Sequence, residues 1–217
     1  MKKHNLLNHI KEFLNESNYF NNIKNRSEAD FQFELGYFLK AIKKIDNIRF
    51  EYQFKDLYSS NPSILKKEAD ICVLNNTSSV DDCIEIKLLK KNSGSTNFFA
   101  SCFEDICYLL QLKNEKKISK GYFVLLCSDT SIIQSKRNSI GCKFWKGFKP
   151  EDTSNNLLKE LSEYKEDDLP NPNSFHHPKL RDLIKENFVS EGLAEKKIEY
   201  SFIPTKNSEY AYCIVEI

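Results

Sequence analysis

The segment from Lys67 to Lys91, KEADICVLNNTSSVDDCIEIKLLKK, constrains this chain more than any other. Two short β-rich apolar runs, ADICVL and CIEIKLL, flank the polar stretch NNTSSVDD, which predicts a β-hairpin or meander. Side chains alternate across a strand, so Ile84, Ile86 and Leu88 share one face while Glu85, Lys87 and Leu89 share the other. If the loop turns between Ser78 and Ser79, Asp70 falls opposite Lys87 and diagonal to Glu85, and any even slip keeps all three on one face. An ordinary salt bridge between Glu85 and Lys87, with Asp70 a strand-edge charge, is the plainer reading. Yet two carboxylates beside an ammonium are costly in a half-buried sheet unless something offsets their desolvation. A divalent cation would do so. Mg²⁺ takes one or two carboxylates plus waters and a phosphate, and a lysine there serves the attacking water or the phosphate charge.

The flanking segments give this hairpin its setting. Leu6, Leu7, Ile10, Phe13 and Leu14 recur at helical spacing. Ser27 opens SEADFQFELGYFLKAIKKI, with acids in the first turn and lysines in the last, as a well-capped helix requires. IRFEYQF alternates Ile48, Phe50, Tyr52 and Phe54 on one strand face. NFFASCFEDICYLLQL (97–112) predicts a second strong helix, and GYFVLLCSD (121–129) a central strand. Later, LLKELSEYKEDDLP suggests a short acidic helix, HPKLRDLIKENFVS another helix, and KKIEYSFIPTKNSEYAYCIVEI a terminal hairpin. Strands bracketed by helices point to an α/β sandwich around a mixed sheet.

A fourth acid joins the constellation. Glu34 lies on the shoulder of the apolar stripe formed by Phe31, Leu35, Phe38, Ile42 and Ile45, tilted toward the sheet. It is either a side chain passing the core edge or an auxiliary ligand. The ordered set Glu34, Asp70, Glu85-Ile86-Lys87 resembles the signature of the PD-(D/E)XK nuclease superfamily. The resemblance covers residues 27–129; Glu68-Ala69 stands where the family has a proline-containing turn. It implies a restriction-endonuclease-like three-layer α/β/α sandwich around a mixed central sheet. It further implies that Asp70, Glu85 and Glu34 hold Mg²⁺, with Mn²⁺ as a substitute, and that Lys87 serves the nucleophilic water. The activity implied is a metal-dependent endonuclease of restriction, defence or DNA-processing type, dimeric if it cuts duplex. The alternative is an inactive relative that binds nucleic acid or a protein partner. A third reading is an α/β domain whose charged hairpin is a surface accident.

Charge is divided unevenly along the chain. Residues 1–150 hold 24 Lys and Arg against 17 Asp and Glu, whereas residues 151–217 hold 8 against 14. A basic first part suits a polyanion, although a solvated surface accounts for it equally. Lys90 and Lys91 extend the active strand, and Lys143, Trp145 and Lys146 mix bases with an aromatic, as contacts to phosphates and unpaired bases require. The aromatics of that segment serve equally well as a core edge. Asp105 falls on the edge of its helix beside Phe98, Cys102 and Leu109, as a solvent-edge charge or a polar group near the site. Residues 1–150 are expected to form the nuclease-like core with its N-terminal helices, and 151–217 an α+β extension packed on it within one domain. Seven cysteines without a CxxC pair, mostly in apolar runs, predict reduced, buried thiols rather than a zinc site. No run approaches a membrane span, and the N-terminus breaks its apolar character early, so a cytoplasmic protein is expected.

Overall fold

The computed structural model describes residues 5–15, 25–55, 68–90, 96–128, 157–160, 197–204 and 209–217. Its helices are α1 (Leu6–Asn15), α2 (Glu28–Tyr37) and α3 (Thr96–Asn114); its strands are β1 (Ile48–Gln53), β2 (Glu68–Leu74), β3 (Val80–Leu89), β4 (Lys120–Cys127), β5 (Leu157–Glu160), β6 (Lys197–Pro204) and β7 (Glu209–Glu216). They form one mixed sheet in the order β1-β2-β3-β4-β7-β6-β5. Only β3 and β4 pair in parallel, joined by the α3 crossover; the other neighbours are antiparallel. The fold is thus α/β, as the order of apolar patterns predicts. The terminal hairpin forms as expected, and β7 takes the place beside β4, so the acidic C-terminal part supplies an interior strand.

Alternation along β3, β4 and β7 sorts the core into two layers. On one face Ile84, Ile86, Leu88, Tyr122, Val124, Leu126 and Ile214 pack against α1 and α2, which contribute Ile10, Phe13, Phe31 and Leu35. On the other, Cys83, Leu89, Phe123, Leu125, Cys213 and Val215 pack under α3 through Cys102, Ile106 and Leu109. Burying each such large side chain stabilises the fold by roughly 1.5–3 kcal/mol. β3 and β4 are covered on both faces, which is why their sequences are nearly continuous apolar runs. A charge placed along the middle of β3, from Cys83 on, is therefore placed in the interior.

Three local expectations are corrected. The helix from Ser27 changes to π geometry over Phe38–Ile42, with the Lys43 amide donating to the Phe38 carbonyl at 3.1 Å. The widened turn rotates the following residues, and Ile42, assigned to the apolar stripe, is 47% exposed. In β1 the one-sided stripe fails: Ile48 joins the α2 face, Tyr52 and Phe54 join the α3 face, and Phe50 lies across Gly36, where a Cβ would meet its ring. The cause is Glu51, whose φ of 48° interrupts the pleat. Finally, Leu157–Glu160, read as the start of an acidic helix, is a strand paired with β6. The rest of that segment and the predicted helix HPKLRDLIKENFVS lie outside the described residues.

Candidate functional site

The site forms where the β2–β3 ladder ends. Ile71 pairs with Ile84 and Cys72 with Cys83. Continued, this register would set Ala69 against Ile86 and Asp70 against Glu85. Instead the Ile86 amide donates to Asp70 Oδ2 at 2.7 Å, so a carboxylate occupies the place of a strand carbonyl. On its other side the β1–β2 ladder passes over Glu51 and Asp70, pairing Phe50 with Ile71 and Tyr52 with Ala69. Ala69 and Ile71, two residues apart, consequently fall into opposite cores. The break at Asp70 turns its side chain into the slot between β2 and β3. Relative to the symmetric turn at Ser78/Ser79, the strands are shifted by two residues, with an irregularity between Val73 and Leu74.

Helix α2 meets the slot through its first two turns. Its N-terminus is fixed by a reciprocal capping box: Asp30 N donates to Ser27 Oγ at 3.2 Å and Ser27 N to Asp30 Oδ2 at 2.7 Å. Those bonds hold Asp30 below the usual carboxylate range, with Arg26 and Lys90 contributing. Glu28, the first helical residue, accepts the Leu88 amide on Oε1 at 3.1 Å, and its Oε2 lies 3.7 Å from Lys87 Nζ. One turn on, Gln32 Nε2 donates to the Asp70 carbonyl at 2.5 Å and to Glu51 Oε1 at 2.6 Å. Thus Asp70 and Glu28 satisfy two successive inward amides of β3, at Ile86 and Leu88, while Gln32 fixes the Asp70 backbone.

Glu34 is placed elsewhere. Its Oε1 pairs with Arg26, just before the helix. At about 100° per residue, Glu28 and Glu34 fall on opposite shoulders of the Phe31–Leu35 stripe, about 40° and 80° from its centre. Both look equally suitable in the sequence, and only the packing of α2 decides which shoulder meets the hairpin. Glu28 and Gln32 were not picked out by the sequence; their four-residue spacing on one shoulder was the available signal.

Glu85 and Lys87 point to the α3 face. Glu85 is fully buried, and the Lys87 side chain is only 16% exposed. Lys87 Nζ lies 2.9 Å from Asp105 Oδ2 on α3, whose side chain is 3% exposed. Asp105 is therefore an interior partner of the lysine and not a solvent-edge charge. One turn before it, burial pushes the Cys102 thiol well up, and the charge of Asp105 adds to the shift.

Of the residues proposed to contact nucleic acid, Lys90 is half-buried at the end of β3, near Asp30. Lys91, Lys143, Trp145 and Lys146 lie outside the described residues. Six cysteines, Cys72, Cys83, Cys102, Cys107, Cys127 and Cys213, are buried free thiols, as expected; Cys142 lies outside. No helix among the described residues is long and apolar enough to cross a membrane.

Among the described residues no three His, Cys, Asp or Glu side chains converge to hold a metal ion. Glu34, Asp70 and Glu85 therefore do not form the expected three-acid set. Asp70 and Glu85 remain, two carboxylates on the neighbouring strands β2 and β3. Hard oxygen donors in that number suit Mg²⁺, whose other ligands are commonly waters and substrate oxygens. Comparison of the chain with protein-family models, with curated proteins and with solved structures gives no significant match.

Proposed function

We propose that the protein is a metal-dependent nuclease of restriction-endonuclease-like fold, hydrolysing phosphodiester bonds in DNA. The observation that carries the reading is the interrupted β2–β3 ladder, which turns Asp70 toward the strand bearing Glu85 and Lys87. A sheet buried on both faces has no packing reason to hold such a set, because each charge there costs several kcal/mol, roughly, unless compensated. The two core layers, with α1 and α2 on one side of the sheet and α3 on the other, are consistent with the three-layer sandwich of that superfamily.

In this reading Asp70 and Glu85 supply the oxygen donors for Mg²⁺. When bound, the ion supplies charge neutralisation at the phosphate and a more acidic water. Asp70 is preoriented, because one carboxylate oxygen is tied to the Ile86 amide and its backbone to Gln32. Lys87 donates a hydrogen bond to the attacking water or to a phosphate oxygen as charge develops there. Glu28 reaches the same lysine from the helix side and occupies the place assigned to the auxiliary acid.

The test compares wild type with Asp70→Asn and Glu85→Gln on labelled duplex, single-stranded and branched DNA, with Mg²⁺ or with chelator. Cleavage that needs Mg²⁺ and disappears in both variants is the expected result. Metal-independent cleavage, or cleavage retained by both variants, overturns the proposal. Salt-sensitive DNA binding without cleavage or metal uptake would instead favour an inactive nucleic-acid-binding domain.

A further inference from the structure

We propose that Cys72 and Cys83 are a reversible oxidation site, joining across β2 and β3 as a disulfide that ties the hairpin beside the slot. The inference stands apart from the nuclease reading and needs none of it. The two residues are direct register partners. The Ile86 amide points toward β2, where it meets Asp70 Oδ2, and β3 keeps an unbroken register against β4 from Asp82 to Leu89. Amides alternate in direction along a strand, so those of Asp82 and Ile84 also face β2 and that of Cys83 faces away. Cys72 and Cys83 thus form a non-hydrogen-bonded pair, in which antiparallel Cα atoms stand about 4.5 Å apart and side chains approach most closely. A disulfide accepts Cα separations of about 4.4 to 6.8 Å, so the bond can close without moving either strand.

Both side chains are free thiols, fully enclosed on the α3 side of the sheet. Burial pushes the Cys83 thiol well up, and a hydrogen bond with the Cys72 thiol adds to the shift, so the two sulfurs stand against each other. The other described strand cysteines have no such alignment: Cys127 stands opposite Leu89 and Ala211, and Cys213 opposite Leu125 and Tyr200. The oxidant is a low-molecular-weight disulfide. One cysteine thiolate attacks it, expelling one small thiol and leaving a mixed disulfide; the second cysteine attacks the protein sulfur and expels the other small thiol. Two protein S–H bonds break and one S–S bond forms; the small disulfide takes both electrons, and both protons end on the released thiols. Enclosure confines the first step to moments when the hairpin opens, and the facing sulfur then resolves the mixed disulfide within the molecule. The plainer alternative is that both thiols only fill the core as small apolar groups.

The experiment refolds the full chain from denaturant in a buffer of oxidised and reduced glutathione, where every thiol is reached before the fold closes. Remaining thiols are alkylated and the peptides mapped by mass, with and without dithiothreitol. A dithiothreitol-sensitive link between the Cys72 and Cys83 peptides is expected as the main linkage of the folded fraction. It is expected to raise the melting temperature by about 5 °C or more, because the bond restricts the unfolded chain. Cys72→Ser is expected to leave Cys83 as a free thiol or a glutathione adduct and to abolish that rise. If refolding yields no folded protein, the native chain held at pH 8 with oxidised glutathione is mapped in the same way. Folded protein with both thiols still free, or linkages spread over the seven cysteines without preference, overturns the inference. So does a link from Cys83 to another cysteine in Cys72→Ser, which would show that facing position does not select the partner. A melting temperature that fails to rise on oxidation overturns it too, because the bond would then strain the strands it joins.

Discussion

The Asp70 carboxylate accepts the Ile86 amide at 2.7 Å, substituting a side chain for a strand at the point where β2 and β3 part. The bond does two things at once: it satisfies a backbone donor that the broken ladder would orphan, and it fixes the Asp70 carboxylate against β3. Asp70→Asn retains an oxygen acceptor and is expected to cost less than about 1 kcal/mol. Asp70→Ala leaves the amide unsatisfied and is expected to cost about 1–3 kcal/mol. Urea unfolding of both variants checks the difference; equal losses would show that the bond does not support the strand.

Removing Lys87 should be expensive. Lys87→Ala leaves Asp105 enclosed without its cation, and breaking a buried pair from one side costs about 3–5 kcal/mol. Lost cleavage in that variant would therefore mix chemistry with stability. The neutral pair Lys87→Met with Asp105→Asn should recover most of the stability while remaining inactive. Melting temperatures of the single and double variants decide it.

The two glutamates of α2 should behave differently. If the proposed nuclease activity is found, Glu28→Gln is expected to lower cleavage at least about tenfold, because it weakens the contact with Lys87. Glu34→Gln, which only loosens the partly exposed pair with Arg26, should leave cleavage within about twofold and cost less than about 1 kcal/mol. The reverse order of effects on turnover would return the auxiliary role to Glu34.

The thiols should be silent in the folded protein. Burial raises Cys83, Cys102, Cys107 and Cys213 above the ordinary thiol range, and all six described cysteines are enclosed. A thiol reagent at pH 8 is expected to label these six only after denaturant is added. Peptide mapping of the native, labelled protein is the check, and fast labelling of Cys72 or Cys83 would mean that the hairpin opens readily.

Alkaline pH should unfold the α1 side of the sheet. Burial pushes the Tyr210 phenol up to about 12, and that of Tyr122 higher still. Both groups bind protons more tightly folded than unfolded, where the pKa is about 10. Their contribution is complete below about pH 10 and is lost as pH rises through 12. Tyr210→Phe should lose the hydrogen bond to the Leu14 carbonyl, about 1 kcal/mol at neutral pH, yet show a shallower alkaline decline. Thermal melts from pH 8 to 12 measure both slopes.

Much of this arrangement was legible beforehand. The hairpin, the α3 crossover, the central strand and the terminal hairpin follow from apolar periodicity, because strands covered on two faces and helices covered on one leave different patterns. The placement of Glu85 and Lys87 on one face of β3 follows from alternation alone, whereas alternation does not carry across the break at Asp70, whose carboxylate meets the Ile86 amide between the strands. What was misjudged depended on contacts between distant segments. Glu28 does not stand out beside Glu34 because a helix has two shoulders and its own sequence does not say which is turned to the sheet. Of the two readings of Asp105, solvent-edge charge or polar group near the site, periodicity cannot choose, because the lysine that accounts for its burial lies 18 residues earlier on another element.

The sequence by itself determined which residues could carry charge into a buried sheet and, for Glu85 and Lys87, on which face of their strand they stand, since both are local matters of periodicity. Only the tertiary structure decided where the ladder breaks, which glutamate reaches the slot, and that Asp105 claims the ammonium of Lys87. Those outcomes depend on how α2 and α3 dock on the two faces of the sheet, a balance of packing and desolvation that no single segment contains.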